Sequence, residues 1–319
     1  MSRLDETFAA LRARGERALV AYFTAGDPSL AETRRLVREA AARGADVIEL
    51  GVPFSDPIAD GPVVQRAGMR ALAAGATLPR VLETVAELRG VVRAPLVLLT
   101  YYNPVLAFGL RAFARSAVDA GVDGVIVADL PLEEAEPLDT EAEAAGLDLV
   151  YLVAPTSTPE RMRRIARRSR GFIYLVSLTG VTGERKELPP DLAAQIRALR
   201  AATPKPVCVG FGIATPEQAA AVGRLADGVI VGSAIVRLVE QKTGSATLVS
   251  DVGDFIASLK AGLGDPPRTP PAVNHVAGGD PPGPPPTVNH VAGGDPPQAP
   301  TTLEGATPSR PPWLSPGRS

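Results

Sequence analysis

The feature that most constrains the fold is a regular alternation of apolar, β-rich runs with amphipathic segments over the first 263 residues. Strand–helix alternation favours a parallel sheet, and parallel strands covered on both faces read as continuous apolar runs, as these do. Eight such units in about 260 residues match a closed (β/α)8 barrel. A large, open, doubly wound sheet is the alternative. The predicted strands are Ala18–Phe23, Asp46–Leu50, Pro95–Tyr101, Gly124–Ala128, Asp148–Val153, Phe172–Val176, Val207–Gly210 and Gly228–Val231.

The amphipathic segments between these strands predict the outer ring of helices. Leu4–Arg14 predicts an extra helix that covers the amino-terminal end of the barrel, and Asp251–Leu263 predicts a closing helix. The basic run Arg161–Arg170 follows an acidic segment, and paired helix surfaces explain both better than a nucleic-acid site does. The other predicted helices are Leu30–Arg43, Arg80–Arg89, Leu110–Ala120, Glu133–Ala145, Glu160–Arg168, Leu192–Ala201 and Glu217–Leu225.

The composition of the chain changes after Leu263. Half of the 32 prolines lie in residues 264–319, where VNHVAGGDPP occurs at Val273–Pro282 and again at Val288–Pro297. Such a segment buries too little apolar surface to offset the entropy lost on ordering. We therefore predict a catalytic barrel domain over residues 1–263 and a disordered tail over residues 264–319.

Charge and cysteine content narrow the class of protein. The net charge of −2 gives no basic field for nucleic acid or a membrane surface. The single cysteine, Cys208, forms no internal disulfide, which fits a reducing compartment. The chain starts with a charged, amphipathic segment rather than a signal peptide, and no apolar run is long enough to span a bilayer. We therefore expect a cytoplasmic protein.

Several mechanisms are excluded by where the reactive residues lie. Both histidines, His275 and His290, lie in the predicted tail, so the usual zinc sites and histidine-activated nucleophiles are not expected in the barrel. None of the four lysines falls in the carboxyl half of a predicted strand, which argues against Schiff-base chemistry. Acid–base work is left to carboxylates and tyrosines.

Glu49 stands in an otherwise apolar strand. Side-chain alternation places Glu49 on the same face as Val47 and opposite to Ile48 and Leu50, which suit the helix-covered outside. Glu49 then points into the barrel, where burial raises the pKa of a carboxyl towards neutrality. It is a candidate proton donor and acceptor.

The loop that follows, FSDPIADGP, carries two more carboxylates, Asp56 and Asp60. Its prolines and glycine restrict it to defined turns, and a plain turn role is an equal alternative for Asp56. Asp129, at the end of the fourth predicted strand, is a candidate for orienting a catalytic partner.

Glycine-rich loops follow the last three predicted strands, at Gly180–Gly183, Gly210–Thr215 and Gly232–Val236. Glycine lets an anion approach the backbone, and the N–H groups at a helix start donate to it. Loops after strands seven and eight are a frequent phosphate site in this fold. A phosphorylated substrate is therefore expected.

Apolar and aromatic side chains lie at the predicted strand ends. They suggest a flat hydrophobic substrate group, although core filling explains each of them alone. They are Tyr22, Leu99, Tyr101, Tyr174 and Phe211.

The string ELGVPFSDPIADGPVVQ at Glu49–Gln65, with FTAGDP before it and LVSLTGVTG, GFGI and GSAIV after it, resembles the tryptophan synthase alpha subunit family. The resemblance spans Leu4–Leu263. It implies a (β/α)8 barrel that cleaves indole-3-glycerol phosphate into indole and glyceraldehyde 3-phosphate without a cofactor of its own. It also implies a pyridoxal-phosphate-dependent beta subunit that receives the indole within an α2β2 tetramer.

The resemblance assigns roles to matching positions, with Glu49 and Asp60 as the catalytic carboxylates and no metal. The family often carries Phe where this chain has Tyr22. The implied substrate-binding positions are Tyr22, Leu99, Tyr174, Thr182 and Phe211; the phosphate-binding positions are Gly183, Gly212, Ile213, Gly232 and Ser233; the partner-facing positions are Asp56, Pro57, Asn103 and Pro131. Two alternatives stay open: another phosphate-binding barrel, such as an isomerase of histidine or tryptophan synthesis, and a non-catalytic allosteric partner of a beta subunit.

Overall fold

A computed structural model describes residues 1–176, 191–210 and 212–264. Within these residues, nine strand segments form one sheet with the order β5-β4-β3-β2-β1-β9-β8-β7-β6. The predicted tail after Gly264, its two histidines and the loop at Gly180–Gly183 lie outside the described residues. The strands are β1 (Ala18–Thr24), β2 (Val47–Gly51), β3 (Leu96–Thr100), β4 (Gly124–Val127), β5 (Asp148–Leu149), β6 (Leu152–Val153), β7 (Ile173–Val176), β8 (Val207–Gly210) and β9 (Gly228–Val231).

The sheet is a closed barrel wall in which every described strand pairing is parallel. The two edge segments, β5 and β6, are consecutive in the chain, so a single stretch of backbone joins the two edges. The prediction of one unbroken strand over Asp148–Val153 is wrong. The backbone N–H of Tyr151 donates to Ser169 Oγ at 3.0 Å, which interrupts the ladder between the two segments. The predicted (β/α)8 barrel is confirmed.

The helices surround this wall, and three of them lie in segments for which we made no helix prediction: α3, α5 and α11. In the described residues, no helix is long and apolar enough to cross a membrane. The helices are α1 (Arg3–Ala13), α2 (Leu30–Ala42), α3 (Pro62–Ala73), α4 (Leu78–Arg89), α5 (Tyr102–Phe108), α6 (Leu110–Ala120), α7 (Glu136–Ala145), α8 (Pro159–Arg168), α9 (Leu192–Ala202), α10 (Pro216–Gly223), α11 (Ser233–Lys242) and α12 (Leu248–Gly264).

Helix α7 begins at Glu136, three residues later than the predicted start at Glu133. Pro137 explains the difference, because proline lacks the N–H that a helix interior needs but is tolerated in the first turn. Glu133 instead pairs with Arg161 of α8 at 3.0 Å, and two further pairs join α7 to this basic region, Asp139 with Arg168 and Glu143 with Arg170. The predicted pairing of the acidic and basic helix surfaces is confirmed.

Helix α1 covers the amino-terminal end of the barrel, as predicted. Leu4, Phe8 and Leu11 are buried in the cluster that fills the barrel interior, and the rings of Phe8 and Phe172 are 5.6 Å apart. Ser2 and Asp5 form a reciprocal capping box that fixes the start of this helix. The amino-terminal end of the barrel is therefore closed by apolar packing.

Strand β2 divides its side chains between two cores. Val47 belongs to the interior cluster, whereas Ile48 and Leu50 belong to the larger cluster between the sheet and the helices. Glu49 therefore points inward, as the alternation predicts.

Candidate active site

A cavity of about 270 Å³ lies at the carboxyl ends of the barrel strands. In this fold, chemistry takes place at that end. The cavity brings together nine of the predicted site residues from six strands and their loops. These residues are Tyr22, Glu49, Asp60, Leu99, Tyr174, Gly212, Ile213, Gly232 and Ser233.

Glu49 lies at the bottom of this cavity, on β2 between Tyr22 of β1 and Val97 of β3. Its exposed fraction is 1%, and neither carboxylate oxygen has a hydrogen-bond partner among the described residues. Burial raises the pKa of Glu49 to about 8, with a further contribution from the charge of Asp60. At neutral pH this carboxyl is therefore mostly protonated and can donate a proton.

Asp60 reaches the same cavity from the loop after β2. The loop is held by its backbone: Asp60 N–H donates to the Pro57 carbonyl at 3.1 Å, and Gln65 Nε2 donates to the Asp60 carbonyl at 2.9 Å. Burial raises the pKa of Asp60 to about 6, and a hydrogen bond with Tyr101 opposes this rise. Asp60 is therefore mostly ionised at neutral pH, while Glu49 keeps its proton.

Tyr101 is a polar contributor to the site whose hydrogen-bonding role the sequence reasoning missed. Its hydroxyl hydrogen-bonds to Asp60 and accepts the backbone N–H of Ala59 at 3.1 Å. The ring lies 5.4 Å from that of Phe54. Because Tyr101 directly follows β3, the sequence predicted it only as part of an aromatic wall. No sequence pattern indicated that its partner, Asp60, lies on the loop after another strand.

The rings of two tyrosines occupy space that a side chain on a neighbouring strand would fill, so each ring requires a glycine on that strand. A Cβ on Gly51 would lie 2.1 Å from the hydroxyl oxygen of Tyr22, and a Cβ on Gly210 would lie 2.4 Å from Cε1 of Tyr174. Both distances are far below van der Waals contact. The Tyr22 hydroxyl lies 3.3 Å from Thr24 Oγ1, which supplies the partner that this buried hydroxyl needs.

The predicted anion site is a curve of backbone at the ends of β8 and β9. Gly212 has a φ of 41°, in the left-handed region that glycine adopts without strain. Gly232 caps α11, and Ser233 is its first residue, so the first-turn N–H groups of α11 begin at the cavity. Backbone N–H groups at a helix start attract a phosphate.

Three predicted substrate or phosphate positions, Thr182, Gly183 and Phe211, lie outside the described residues. Asp129 is not among the residues that line the cavity, and its carboxylate accepts the backbone N–H of Tyr102 at 2.7 Å, at the start of α5. In the described residues, no group of three or more His, Cys, Asp or Glu side chains could hold a metal ion.

The residues predicted to face a partner follow the carboxyl ends of three adjacent strands. Asp56, Asn103 and Pro131 are exposed, and Pro57 is half-buried. Two apolar side chains in the same loop and in α5 are also exposed, Ile58 by 79% and Leu106 by 52%. None of these six residues lines the cavity described above.

The fold and this cavity define a class: (β/α)8 barrels with two carboxyls in a largely apolar cavity at the carboxyl ends of the strands. Known proteins then identify the family. Residues 8–262 match the protein family described as "Tryptophan synthase alpha chain". The chain belongs to the tryptophan synthase alpha chain family.

The chain is also similar to individual members of this family over the length of the barrel. The chain is 52% identical to the tryptophan synthase alpha chain of Citrifermentans bemidjiense, covering 82% of this chain and 98% of that one. It is 50% identical to that of Geobacter sulfurreducens, covering 83% and 100%. Among solved structures, tryptophan synthase subunit alpha from Legionella pneumophila has a TM-score of 0.77 and 40% identity, covering 82% of this chain and 98% of that one. A chain of Mycobacterium tuberculosis tryptophan synthase gives 0.76 and 37%, over 82% and 98%.

Proposed function

We propose that this protein is a carbon–carbon lyase that cleaves indole-3-glycerol phosphate into indole and glyceraldehyde 3-phosphate. The observation that carries the proposal is a pair of carboxyls in one cavity with separated pKa values, about 8 for Glu49 and about 6 for Asp60. One carboxyl can donate a proton at the pH at which the other is charged. Family membership supplies the substrate.

In the proposed reaction, Glu49 first donates its proton to ring carbon C3 of the indole. The ring becomes an indolenine with positive charge at its nitrogen, which the Asp60 carboxylate stabilises while accepting the N–H hydrogen bond. The Glu49 carboxylate then removes the proton of the glycerol hydroxyl next to the ring. That O–H electron pair forms the aldehyde, the carbon–carbon bond breaks, and its electron pair returns to the ring as neutral indole leaves. Glu49 ends protonated, as it began.

The walls of the cavity suit the two ends of this substrate. Leu99, Tyr22 and Tyr174 line it with apolar and aromatic surface for the indole. Gly212 and Gly232, with the start of α11, present backbone N–H groups for the phosphate. We include Thr182, Gly183 and Phe211 in the proposal on the family resemblance alone.

We also propose that a beta subunit docks on the exposed surface formed by Asp56, Pro57, Asn103 and Pro131 and receives the indole in an α2β2 tetramer. Ile58 in the same loop and Leu106 in α5 support this proposal, because each is a large apolar side chain that stays exposed after β2 or β3. Pyridoxal phosphate would then belong to the beta subunit.

The test is release of indole from indole-3-glycerol phosphate by the full chain, with and without a beta subunit. We expect the wild type to release indole and Glu49→Gln, which keeps the shape but cannot shuttle the proton, to lose roughly 10²- to 10⁴-fold in kcat. Near-normal release by Glu49→Gln would refute the assignment of Glu49. No release by the wild type in either condition would favour another phosphate-binding barrel. Full activation of a beta subunit by Glu49→Gln would show that catalysis and regulation are separable.

A further inference from the structure

A carboxylate outside the cavity, Asp27, is held at the turn that follows β1. Its side chain is only 2% exposed, and Arg70 of α3 donates a hydrogen bond to each of its two carboxylate oxygens. The two contacts, Nε to Oδ1 and Nη2 to Oδ2, are each 2.8 Å. This is the fork-to-fork geometry that fixes direction as well as distance. The turn also lies close against α3, since a Cβ on the preceding Gly26 would lie 3.1 Å from that of Ala71.

The same guanidinium reaches a third element. Arg70 Nη1 contacts Glu240 Oε1 of α11 at 2.7 Å. Arg66, one helical turn earlier on α3, contacts both oxygens of Glu240 at 2.9 Å. We call Asp27, Arg66, Arg70 and Glu240 the Arg70 cluster. Arg70 thus joins α3 to the turn after β1 and to α11 through charged hydrogen bonds.

Each element joined by the Arg70 cluster carries one part of the candidate site. Helix α3 begins two residues after Asp60, and its Gln65 side chain holds the Asp60 carbonyl. Helix α11 begins at Ser233, in the proposed phosphate site. Strand β1 carries Tyr22. Arg70 therefore links the acid–base loop, the anion site and one aromatic wall, and the contact of Arg66 with Glu240 is a second link between α3 and α11.

We propose that Arg70 is a positioning residue that sets the distance between the phosphate site on α11 and the Asp60 loop. This inference rests on the proposed function. A substrate anchored by its phosphate presents its ring to Glu49 and Asp60 only if those two regions keep a fixed spacing. A misplacement of about 1 Å can cost on the order of 10²-fold in rate.

The test compares Arg70→Lys with a matched control, Arg89→Lys, in the full chain. Lysine keeps the charge but cannot make the fork. Arg89 is also a largely buried arginine paired with a buried aspartate, Asp123, with exposed fractions of 18% and 11%. It lies near the amino-terminal end of β3, where it donates to the carbonyls of Val92 and Ala94. Each arginine donates three hydrogen bonds, those of Arg70 to two carboxylates and those of Arg89 to one carboxylate and two carbonyls, but only Arg70 touches elements of the site.

We expect Arg70→Lys to lower kcat/KM for indole-3-glycerol phosphate by about 10- to 100-fold through both a lower kcat and a higher KM. Arg89→Lys is expected to stay within about twofold of wild type in both constants while losing a similar amount of thermal stability. The Glu240 side chain is 28% exposed, so Glu240→Gln keeps the contact between Arg70 and Asp27 and should fold if Arg70→Lys does not. It is expected to raise KM by a smaller factor.

The outcomes are distinct. If Arg70→Lys and Glu240→Gln match Arg89→Lys in kcat and KM, the cluster is merely structural and the inference is wrong. If the wild type releases no indole, the proposed function fails and the inference fails with it. Release by the wild type and by Arg89→Lys, with a loss in Arg70→Lys, supports both.

Discussion

Replacing Gly51 by alanine tests whether the aromatic wall of the cavity depends on a missing side chain. The new Cβ would lie 2.1 Å from the Tyr22 hydroxyl oxygen, 2.7 Å from Cζ and 2.8 Å from Cε2. Ordinary contacts begin near 3.5 Å, so the ring has to move by roughly 1 Å. Tyr22 is 5% exposed and lines the cavity, so we expect the displaced ring to enter the space proposed for indole.

The size of the effect follows from overpacking. Inserting one methyl group into a packed site costs about 1–3 kcal/mol. For a domain of this size each kcal/mol lowers the midpoint of thermal unfolding by about 2–4 °C, so we expect a fall of roughly 2–12 °C. The displacement of the ring should also lower kcat/KM by about 10²-fold. Thermal unfolding and indole release measure the two effects.

Two further variants sharpen this test. Gly51→Ala combined with Tyr22→Phe removes the nearest atom but leaves Cζ at 2.7 Å, so we expect partial recovery of the unfolding temperature. Gly68→Ala is the matched control, because a Cβ there meets nothing within 4 Å and alanine favours the helix by about 0.5–1 kcal/mol. A Gly51→Ala variant that unfolds at the wild-type temperature with wild-type kcat/KM would refute the reasoning. So would a double variant that recovers no stability.

Three other predictions concern charge. Tyr101→Phe removes the hydrogen bond that lowers the pKa of Asp60, so the acidic limb of the pH profile of kcat/KM should move above the wild-type limb near pH 6; an unmoved limb would contradict it. The pKa of Glu49, about 8, exceeds its ordinary value of 4.5, so its contribution to stability is complete below about pH 4.5 and is lost as the pH rises through 8. Glu49→Gln has no such loss, and its unfolding temperature should exceed that of the wild type by more at pH 8.5 than at pH 5; a difference that does not grow with pH would argue against a buried, unpaired carboxyl. Asp56→Ala should weaken activation of a beta subunit more than it alters indole release by the isolated chain, and unchanged activation would remove Asp56 from the proposed interface.

The sequence predicted the parts of this protein that depend on local periodicity. Alternation along Val47–Leu50 placed Glu49 inside the barrel, and the apolar face of Leu4–Arg14 predicted the helix that closes its amino-terminal end. The break between β5 and β6 could not be predicted, because it depends on a hydrogen bond from Tyr151 to Ser169, which lies beyond the next helix.

The contacts of the Arg70 cluster and of Gly51 could not be predicted from the sequence for the same reason. Asp27 and Arg70 are 43 positions apart, and Arg70 and Glu240 are 170 apart, so no short pattern links them. From the sequence alone, Gly51 is indistinguishable from any glycine at the end of a strand. Only the packed structure shows that the Tyr22 ring occupies the space its side chain would fill. Periodicity reports which face a residue takes, but not which distant side chain meets it.

The different protonation states of Glu49 and Asp60 follow from where each one sits. Glu49 is on a strand at the bottom of the cavity, where neither oxygen has a described hydrogen-bond partner, and its burial raises the pKa to about 8. Asp60 is on a loop at the mouth, where the Tyr101 hydroxyl offsets part of the same penalty and its pKa rises only to about 6. The charge of Asp60 also raises the pKa of Glu49, so ionising the loop carboxylate helps the strand carboxyl to keep its proton. A hydrogen-bond donor or a cation beside Glu49 would stabilise its ionised form and remove the proton that the proposed reaction needs. A buried carboxyl with no partner among the described residues is therefore a cost to folding that the proposed reaction requires.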